Sequence, residues 1–525
     1  MNTDIRTNNR PTPRPSYNRN HDSSQGQTVQ STAPISERIR IIPLGGVEEI
    51  GKNMTMVEYK NDIVIIDMGF QFPGDDTPGI DYIIPDTSYL DSRLDRIRGV
   101  FITHGHLDHI GGIPYVMPRI GNPPLFTRLL TSIMIKRRQD EFPHLAPLNM
   151  QIVEKDGRVK VGNLVVRFFK VTHTIPDSMG VIIETPHGNI IFTGDLKVDH
   201  DNNIPLPHEE ETFGALGAEN NLVLLTDSTN VERPGFSFSE RQVHENLRQI
   251  IADMKGRLIM GTFASLLERI VFVINTAEEM GKKIVVEGRS MRVNVEITRE
   301  VGILKCKPTT IIPAEEMENY PPNKIIILAT GAQGDAFAAL MRMGNKQHKT
   351  VKINKTDTVL LSSSVIPGNE KSVQKLKDNL SRQGAKILHY RVADVHSSGH
   401  ANRDEMAWIH KKLKPKFLIP IHGFHHNLHI HKEIAESVGI PSDNVVIADN
   451  GSIIEISDDG QKIGIIKEKA SSGIIMVDGL GVGDVKEVVI RDRQMLSSDG
   501  IFVIIAVLDS RTGKVRQSPD ILSRG

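Results

Sequence analysis

Three histidines and an aspartate lie within six consecutive positions of the sequence, at His104, His106, Asp108 and His109. They directly follow the apolar stretch from Val100 to Thr103, which has the composition of a buried strand. Imidazole and carboxylate groups are the donors that a divalent cation requires, and they are costly to bury without a partner. The cluster therefore predicts a metal site with hydrolytic chemistry, and a chance cluster in a surface loop is the alternative.

Three further candidate ligands each follow a strand-like segment: His173, Asp195 and His422. Taken singly, His173 is typical of a core histidine and Asp195 of a turn. Together with the cluster they predict two metal sites, with Asp195 bridging them and His422 completing the second. In this prediction one metal is held by His104, His106 and His173, and the other by Asp108, His109 and His422.

The composition restricts the kind of metal site. The 525 residues include 20 histidines but a single cysteine, Cys306, which excludes an intrachain disulfide and a thiolate cage and favours Zn²⁺ or Mn²⁺ held by nitrogen and oxygen. Such cysteine usage fits a reducing, cytoplasmic compartment. The formal charge of -1 gives no argument from bulk charge for a nucleic-acid or membrane partner. No stretch approaches the roughly 20 apolar residues of a membrane helix, so we expect no membrane association.

Changes in sequence pattern predict how the elements that position these residues are organised. Residues 1–37 are polar, proline-rich and basic, which predicts a disordered tail. Residues 38–240 read as short strands, and residues 241–394 as alternating strands and helices, which is typical of a parallel sheet. The first of those helices is expected to be capped by Ser239. Residues 395–480 contain further histidines up to His431, after which the sequence returns to short strands and turns that continue through residues 481–525.

Small-residue loops follow four of the strands in residues 241–394, beginning at Gly261, Gly288, Thr330 and Ser362. In open α/β sheets, ligands bind beyond the carboxyl ends of the strands, where backbone N–H groups are exposed to anions. Each loop alone is ordinary turn chemistry, but four in succession favour a phosphate-containing ligand.

The His104–His109 cluster matches the HxHxDH signature, and the sequence resembles the metallo-β-lactamase superfamily, its β-CASP nuclease branch and, within that, the ribonuclease J family. The stretches that carry the narrower resemblance are Leu44 to Asn53, Thr172 to Ser178, Phe192 to Asp195, Thr226 to Asn230, Pro367 to Glu370 and Ser398 to His400. They occur in the family order from Ile41 onward. The resemblance implies an α/β fold in which a metallo-β-lactamase αββα sandwich is interrupted by a β-CASP domain at residues 241–394.

The resemblance also implies a function. Family members degrade or mature RNA, as 5′-to-3′ exonucleases on 5′-monophosphorylated ends and as endonucleases. They use two divalent metal ions, for which Zn²⁺ is the expectation here and Mn²⁺ the alternative. Homodimers, homotetramers and RNA-degradation complexes belong to the same expectation, and residues 481–525 would begin a truncated or reduced C-terminal domain. The expected catalytic residues are Asp108, Asp195, Asp227 and His400, and the expected phosphate-binding residues are Ser398, Gly399 and His400.

Two other functions stay open from the sequence: a small-molecule hydrolase of the same superfamily, such as a lactonase or thioesterase, and a non-catalytic RNA-binding subunit. The sequence also departs from the family pattern at Leu266, Leu267 and Glu268, which precede Arg269, and at Phe424. The four histidines that follow Phe424 are expected to be surface residues, with a role in metal access as the alternative.

Overall fold

The computed structural model of this chain describes residues 38–524 except for 75–76, 367, 458, 480 and 486. The predicted tail at 1–37 and Pro367, which begins one of the quoted motifs, lie outside the described residues.

The strands are numbered in chain order over the described residues. They are β1 (Ile39–Gly45), β2 (Met54–Tyr59), β3 (Asp62–Ile66), β4 (Tyr82–Pro85), β5 (Ile97–Phe101), β6 (Leu125–Thr127), β7 (Met150–Ile152), β8 (Arg158–Val161), β9 (Leu164–Lys170), β10 (Met179–Thr185), β11 (Gly188–Phe192), β12 (His200–Asp201), β13 (Ile204–Pro205), β14 (Asn221–Asp227), β15 (Leu258–Gly261), β16 (Lys283–Glu287), β17 (Ile325–Ala329), β18 (Thr358–Leu361), β19 (Lys386–His389), β20 (Phe417–Ile421), β21 (Ser452–Ser457), β22 (Lys462–Lys469), β23 (Ile474–Asp478), β24 (Gly481–Val482), β25 (Ile501–Ile505) and β26 (Asp520–Arg524).

The α-helices of the described residues are numbered in the same way. They are α1 (Leu107–Ile110), α2 (Ile113–Val116), α3 (Leu129–Gln139), α4 (Pro207–Leu216), α5 (Glu240–Asp253), α6 (Leu267–Glu279), α7 (Arg289–Glu300), α8 (Ala339–Gly344), α9 (Glu370–Ser381), α10 (Tyr390–Ala393), α11 (Arg403–Leu413), α12 (His425–Ser437) and α13 (Glu487–Asp499).

Two sheets pack face to face and form the sandwich that the resemblance implies. Their strand orders are β22-β21-β1-β2-β3-β5-β6-β7 and β20-β14-β11-β10-β9-β8. Apolar side chains from both inner faces, such as Phe101 and Phe192, form one buried cluster. On the outer faces, α1 to α3 cover the first sheet, and α4, α11 and α12 cover the second. The order of layers is therefore helix, sheet, sheet, helix.

A separate parallel sheet, ordered β16-β17-β15-β18-β19, lies between β14 and β20 in the sequence. Because side chains alternate across a strand, Leu258 and Met260 of β15 pack with α5 to α7 on one face, and Ile259 packs with α8 and α9 on the other. The predicted parallel sheet is confirmed, whereas the exact limits at residues 240, 394 and 480 remain predictions.

The start of α5 differs from the expected capping arrangement. The helix begins at Glu240, but the Ser239 hydroxyl donates to the carbonyl of His200 at 2.9 Å and makes no side-chain cap hydrogen bond. The hydroxyl thus ties the helix to β12, because a carbonyl of that strand lies within its reach.

The chain returns to the sandwich after the parallel sheet and extends both of its layers. Strand β20 pairs in parallel with β14 in one sheet, and β21 pairs antiparallel with β1 in the other. Residues far apart in sequence therefore meet at the edge where β5, β11 and β20 end. Among the described residues, no helix has both the length and the apolar character needed to cross a membrane.

We expect the buried ion pair of the parallel-sheet domain to contribute strongly to stability. Asp357 accepts hydrogen bonds from Nε and Nη2 of Arg257 at 3.0 and 2.7 Å, and its side chain is fully buried. In Asp357→Ala the guanidinium would be left buried without its partner, which costs about 3–5 kcal/mol. Urea unfolding followed by circular dichroism measures the loss.

The matched control is Asp201→Ala, which removes the exposed partner of Arg241. Exposed ion pairs contribute only about 0–1 kcal/mol, so its unfolding midpoint should stay near that of the wild type. Equal shifts in the two variants would contradict the importance of the buried pair.

Candidate metal centre

All seven predicted metal ligands lie at one edge of the sandwich, at the ends of four strands. The β5–α1 turn carries His104 and His106, the short helix α1 carries Asp108 and His109, and the other three residues follow β9, β11 and β20. The carboxyl ends of β11, β14 and β20 share one edge of a sheet because these strands are parallel. The structure thus brings together residues that are up to 318 positions apart, His104 and His422 being the outermost.

The first donor group contains His104, His106, His173 and Asp195, with one donor atom of each within 4.8 Å of the others. Nδ1 of His106 lies 3.0 Å from Nε2 of His104 and 3.1 Å from Nε2 of His173. Oδ2 of Asp195 is 3.6 Å from Nε2 of His104 and 3.8 Å from that of His173. Three imidazoles and one carboxylate oxygen therefore converge on one point.

The second donor group contains Asp108, His109, Asp195 and His422. Nε2 of His109 lies 3.2 Å from Oδ1 of Asp195, and Nε2 of His422 lies 3.2 Å from Oδ2 of Asp108. Asp195 thus belongs to both groups, with one carboxylate oxygen facing each. The sequence predicts that Asp195 bridges two metal ions, and that role stays a prediction.

Neighbouring groups fix which nitrogen of an imidazole faces the centre. Nδ1 of His173 donates to the carbonyl of Gly399 at 2.7 Å, and Nδ1 of His109 lies 2.8 Å from Oδ2 of Asp67. A proton held on Nδ1 leaves the lone pair of Nε2 free to bind a metal. Outer partners of this kind orient the ligating histidines in metal sites generally.

The two groups differ in charge. Burial lowers the pKa of His104 and His173 well below the ordinary value and that of His106 to about 4, so the first group offers neutral imidazoles. Burial also opposes charge on His109 and His422, but the carboxylates, Asp195 foremost, outweigh it and raise the pKa of both. Protons on these two imidazoles thus compensate the carboxylates, and a bound cation would replace them.

The donor set fits divalent ions. Oδ1 of Asp195 is buried and accepts no hydrogen bond from the described residues, although two imidazole nitrogens lie within 3.2 Å of it. A buried carboxylate oxygen without a hydrogen bond is costly unless a cation is nearby. Imidazole and carboxylate donors suit Zn²⁺ and Mn²⁺ alike. The residues of the centre are therefore suited to binding divalent metal ions.

Asp227 and His400 form a pair beside the donor groups. Nδ1 of His400 lies 2.6 Å from Oδ2 of Asp227, whose other oxygen accepts the N–H of Thr229 at 2.8 Å. Burial disfavours the charged imidazole, but the charges of Asp227 and Asp195 outweigh it and raise the pKa of His400. The imidazole keeps partial access to solvent, with 22% of its side chain exposed. This arrangement can hold a proton near the centre and release it.

The Ser398–His400 turn packs directly against the first donor group. Asn230 Nδ2 donates to the hydroxyl of Ser398 at 2.7 Å and to the carbonyl of His400 at 3.2 Å. A Cβ at position 399 would lie 2.6 Å from Cε1 of His173, so only glycine fits there. The predicted contact of this turn with a substrate phosphate stays a prediction.

Five residues that orient the centre were missed as site residues by the sequence reasoning: Asn53, Asp67, Thr103, Thr174 and Thr229. The amide of Asn53 donates to the carbonyl of Asp108 at 3.1 Å. Asp67 accepts hydrogen bonds from Thr103 and lies beside His109, while the threonine hydroxyls contact ring nitrogens of His104, His106 and His422. These residues could have been identified from the sequence, because each lies in one of the motifs given above or at the end of a strand.

The structure accounts for one of the departures from the family pattern, Leu267, and shows how the neighbouring Arg269 is held. Leu267 is buried with Leu130 and Ile175, and the guanidinium of Arg269 is buried against the Glu240 carboxylate, so both positions serve packing. Phe424 is exposed.

The expectation that the four histidines after Phe424 lie at the surface is confirmed for His425, His426 and His429 but wrong for His431. His431 is buried and hydrogen-bonded to Ser228 and His410, because α12 turns this position toward α11.

Four family models match separate parts of the chain. Residues 48–211 match the metallo-beta-lactamase superfamily, and residues 255–380 match the beta-CASP domain of ribonuclease J. Residues 387–445 match the Zn-dependent metallo-hydrolase RNA specificity domain, and residues 488–525 match the ribonuclease J C-terminal domain.

Similar proteins cover nearly the whole chain. Ribonuclease J 1 of Streptococcus pyogenes is 38% identical over 93% of this chain and 86% of its own length. Ribonuclease J2 of Bacillus subtilis is 36% identical over 93% and 87%, and ribonuclease J of Thermus thermophilus is 37% identical over 90% and 82%.

Among solved structures, a protein of unknown function from Enterococcus faecalis has a similar fold, with a TM-score of 0.56 and 17% identity over 80% of this chain and all of its own. This likeness concerns the fold alone. The identities of more than 35% over nine tenths of the chain, together with the HxHxDH centre, show that this protein belongs to the ribonuclease J family.

Proposed function

We propose that this protein is a metal-dependent ribonuclease that hydrolyses RNA phosphodiester bonds. The observation that carries the proposal is the pair of donor groups joined through Asp195, with the Asp227–His400 pair beside them, in a chain of the ribonuclease J family. The expected catalytic residues Asp108, Asp195, Asp227 and His400 all lie at this centre.

Different residues of the centre have different roles in the proposed reaction. Divalent ions bound here would supply an activated water and positive charge to offset that of the phosphate. The residues that would hold them are His104, His106, Asp108, His109, His173, Asp195 and His422. His400 donates a proton to the leaving 3′ oxygen, and Asp227 orients the imidazole and favours its charged form.

The proposed substrate is single-stranded RNA with a 5′-monophosphate, degraded from 5′ to 3′, with internal cleavage as a second activity. Ser398, Gly399 and His400 would contact the phosphate. The small-residue loops that follow β15 to β18 support an anionic ligand, since they lie at the carboxyl ends of parallel strands.

Zn²⁺ is the proposed metal, with Mn²⁺ as the alternative that the donors also accept. We further propose a homodimer or homotetramer, association with an RNA-degradation complex and a cytoplasmic location. The match of residues 488–525 to the ribonuclease J C-terminal domain and the exposed apolar side chains of β25 support an assembly of chains. The domain limits at 240, 394 and 480 belong to the same proposal.

One digestion experiment tests the activity directly. A single RNA sequence carrying either a 5′-monophosphate or a 5′-triphosphate is incubated with the purified, metal-analysed protein. We expect mononucleotides to be released in a manner that depends on the monophosphate. Internal cuts that ignore the 5′ end, without any release of mononucleotides, would contradict the exonuclease. Turnover of a thioester or lactone without RNA cleavage would favour a small-molecule hydrolase.

We expect His400→Gln to reduce turnover by about 10²–10⁴-fold while metal content stays near the wild-type value, because in this proposal the imidazole supplies a proton and is not one of the seven metal ligands. Elemental analysis beside single-turnover RNA cleavage measures both quantities. Loss of metal in this variant would instead make His400 a ligand.

Asp227→Asn should change the pH dependence of turnover. The Asp227 charge raises the pKa of His400, so its removal lowers that pKa, and the imidazole loses its proton at lower pH. The alkaline limb of the pH profile of kcat should therefore move to lower pH. An unchanged limb would show that this imidazole is not the titrating acid.

His173→Ala should remove metal from the first donor group, because three neutral imidazoles and Asp195 hold that position. We expect bound metal to fall by about one ion per chain, since loss of one ligand in a site of this kind weakens binding strongly. His208→Ala, which alters an exposed histidine of α4, is the matched control and should retain full metal content. Equal metal content in both variants would remove His173 from the ligand set.

A further inference from the structure

A separate histidine–carboxylate cluster lies on the surface, where two loops meet the start of α12. Glu48 comes from the β1–β2 loop, His425 from the start of α12, and Asp449 from the loop before β21. One donor atom of each lies within 4.8 Å of the other two, and Nδ1 of His425 is 3.1 Å from Oε1 of Glu48. None of these residues belongs to the two donor groups of the catalytic centre.

Hydrogen bonds made by residues next to the cluster fix the positions of the three segments that carry it. The N–H of Val47 donates to Oδ1 of Asn450 at 3.2 Å, and Nδ2 of Asn450 donates to Oε1 of Glu49 at 2.8 Å. Val47 and Glu49 also form β-bridges with Gly423. The residues on both sides of Glu48 and the residue after Asp449 are therefore held, so the cluster does not depend on mobile loop tips.

Two carboxylates are kept close together at this place. Partial burial and the charge of Asp449 raise the pKa of Glu48, and the imidazole of His425 offsets only part of this effect. Glu48 also has a φ of 60°, a backbone conformation that residues other than glycine rarely adopt. The closeness of the two carboxylates is unfavourable unless a positive charge balances them, whereas the backbone conformation only fixes where Glu48 lies.

The second nitrogen of His425 has a partner as well. Nε2 of His429, one helical turn further along α12, lies 3.1 Å from Nε2 of His425. Burial and the neighbouring His425 lower the pKa of His429, so it is a neutral hydrogen-bond acceptor. A ligating histidine is oriented in this way when its other nitrogen is hydrogen-bonded.

We propose that Glu48, His425 and Asp449 bind a third divalent transition-metal ion, Zn²⁺ or Mn²⁺, with water at the remaining positions. Two carboxylate oxygens and one imidazole nitrogen are a donor set that both ions accept. The ammonium group of Lys469, which lies 3.4 Å from Asp449 and is largely exposed, moves away into solvent when the ion binds.

The site is open to solvent and lacks the buried imidazoles of the catalytic centre, so it binds its ion more weakly. Its consequence is local: His425 is three residues from His422 in the turn between β20 and α12, and a bound ion joins this turn to the β1–β2 loop. The ion thereby stabilises the segment that presents His422 to the second donor group.

Metal content of the intact holoenzyme tests the proposal. The wild type is dialysed to equilibrium against increasing Zn²⁺, and separately Mn²⁺, and bound metal is measured by elemental analysis. We expect two tightly bound ions followed by a weaker third, and only the third should be lost in His425→Gln and in Glu48→Gln.

His426→Gln is the matched control, because this adjacent histidine is also exposed but pairs with Glu232 at 3.2 Å. It should retain all three ions. A third ion that persists in His425→Gln, or no third ion in the wild type, would overturn the proposal and leave the cluster as an ion-pair network.

The outcome is separable from the ribonuclease proposal. His425→Gln should keep the two tight ions and cleave RNA when those two sites are filled, since it alters no residue of the catalytic centre. A wild type that binds three ions but cleaves no RNA would contradict the ribonuclease proposal and support the surface site. A wild type that binds only two ions and cleaves RNA fully would support the ribonuclease proposal and contradict the surface site.

Discussion

The centre depends on one buried carboxylate. Asp195 directs Oδ2 toward the imidazoles of the first donor group and Oδ1 toward His109 and His422, so a single side chain determines how far apart the two groups lie. Burial would ordinarily favour its neutral form, yet the imidazoles of His422, His109 and His400 lower its pKa. Its position follows from β11, which lies in the middle of a sheet and ends at the edge where the β5–α1 turn arrives from the facing sheet.

The interruption of the sandwich has a direct consequence for this centre. The chain leaves the second sheet after β14, forms the parallel sheet, and returns as β20 beside β14. Asp227 at the end of β14 and His422 after β20 therefore become neighbours although 194 residues separate them, with Nδ1 of His422 3.5 Å from Oδ1 of Asp227.

Close packing joins the Asp227–His400 pair to the proposed metal ligands. The carbonyl of Gly399 accepts from His173, and the next residue, His400, contacts Asp227. One short turn thus determines both the orientation of a ligand imidazole and the position of the proposed acid. The absence of a Cβ at position 399 is what permits this approach, so a larger residue would disturb metal binding and proton transfer together.

The sequence alone predicted the imidazole and carboxylate donors and the parallel sheet, because HxHxDH spacing and alternating apolar patterns are local properties of the chain. Its expectation of short strands and turns in residues 481–525 was wrong for α13 (Glu487–Asp499). It did not reveal Asp67 as the partner of His109 or the burial of His431, since both follow from packing between distant segments. The sequence also did not predict that Glu48, His425 and Asp449 lie close together. Only the tertiary structure decided these contacts, because the ends of strands and the faces of helices become neighbours when sheets pair and layers pack.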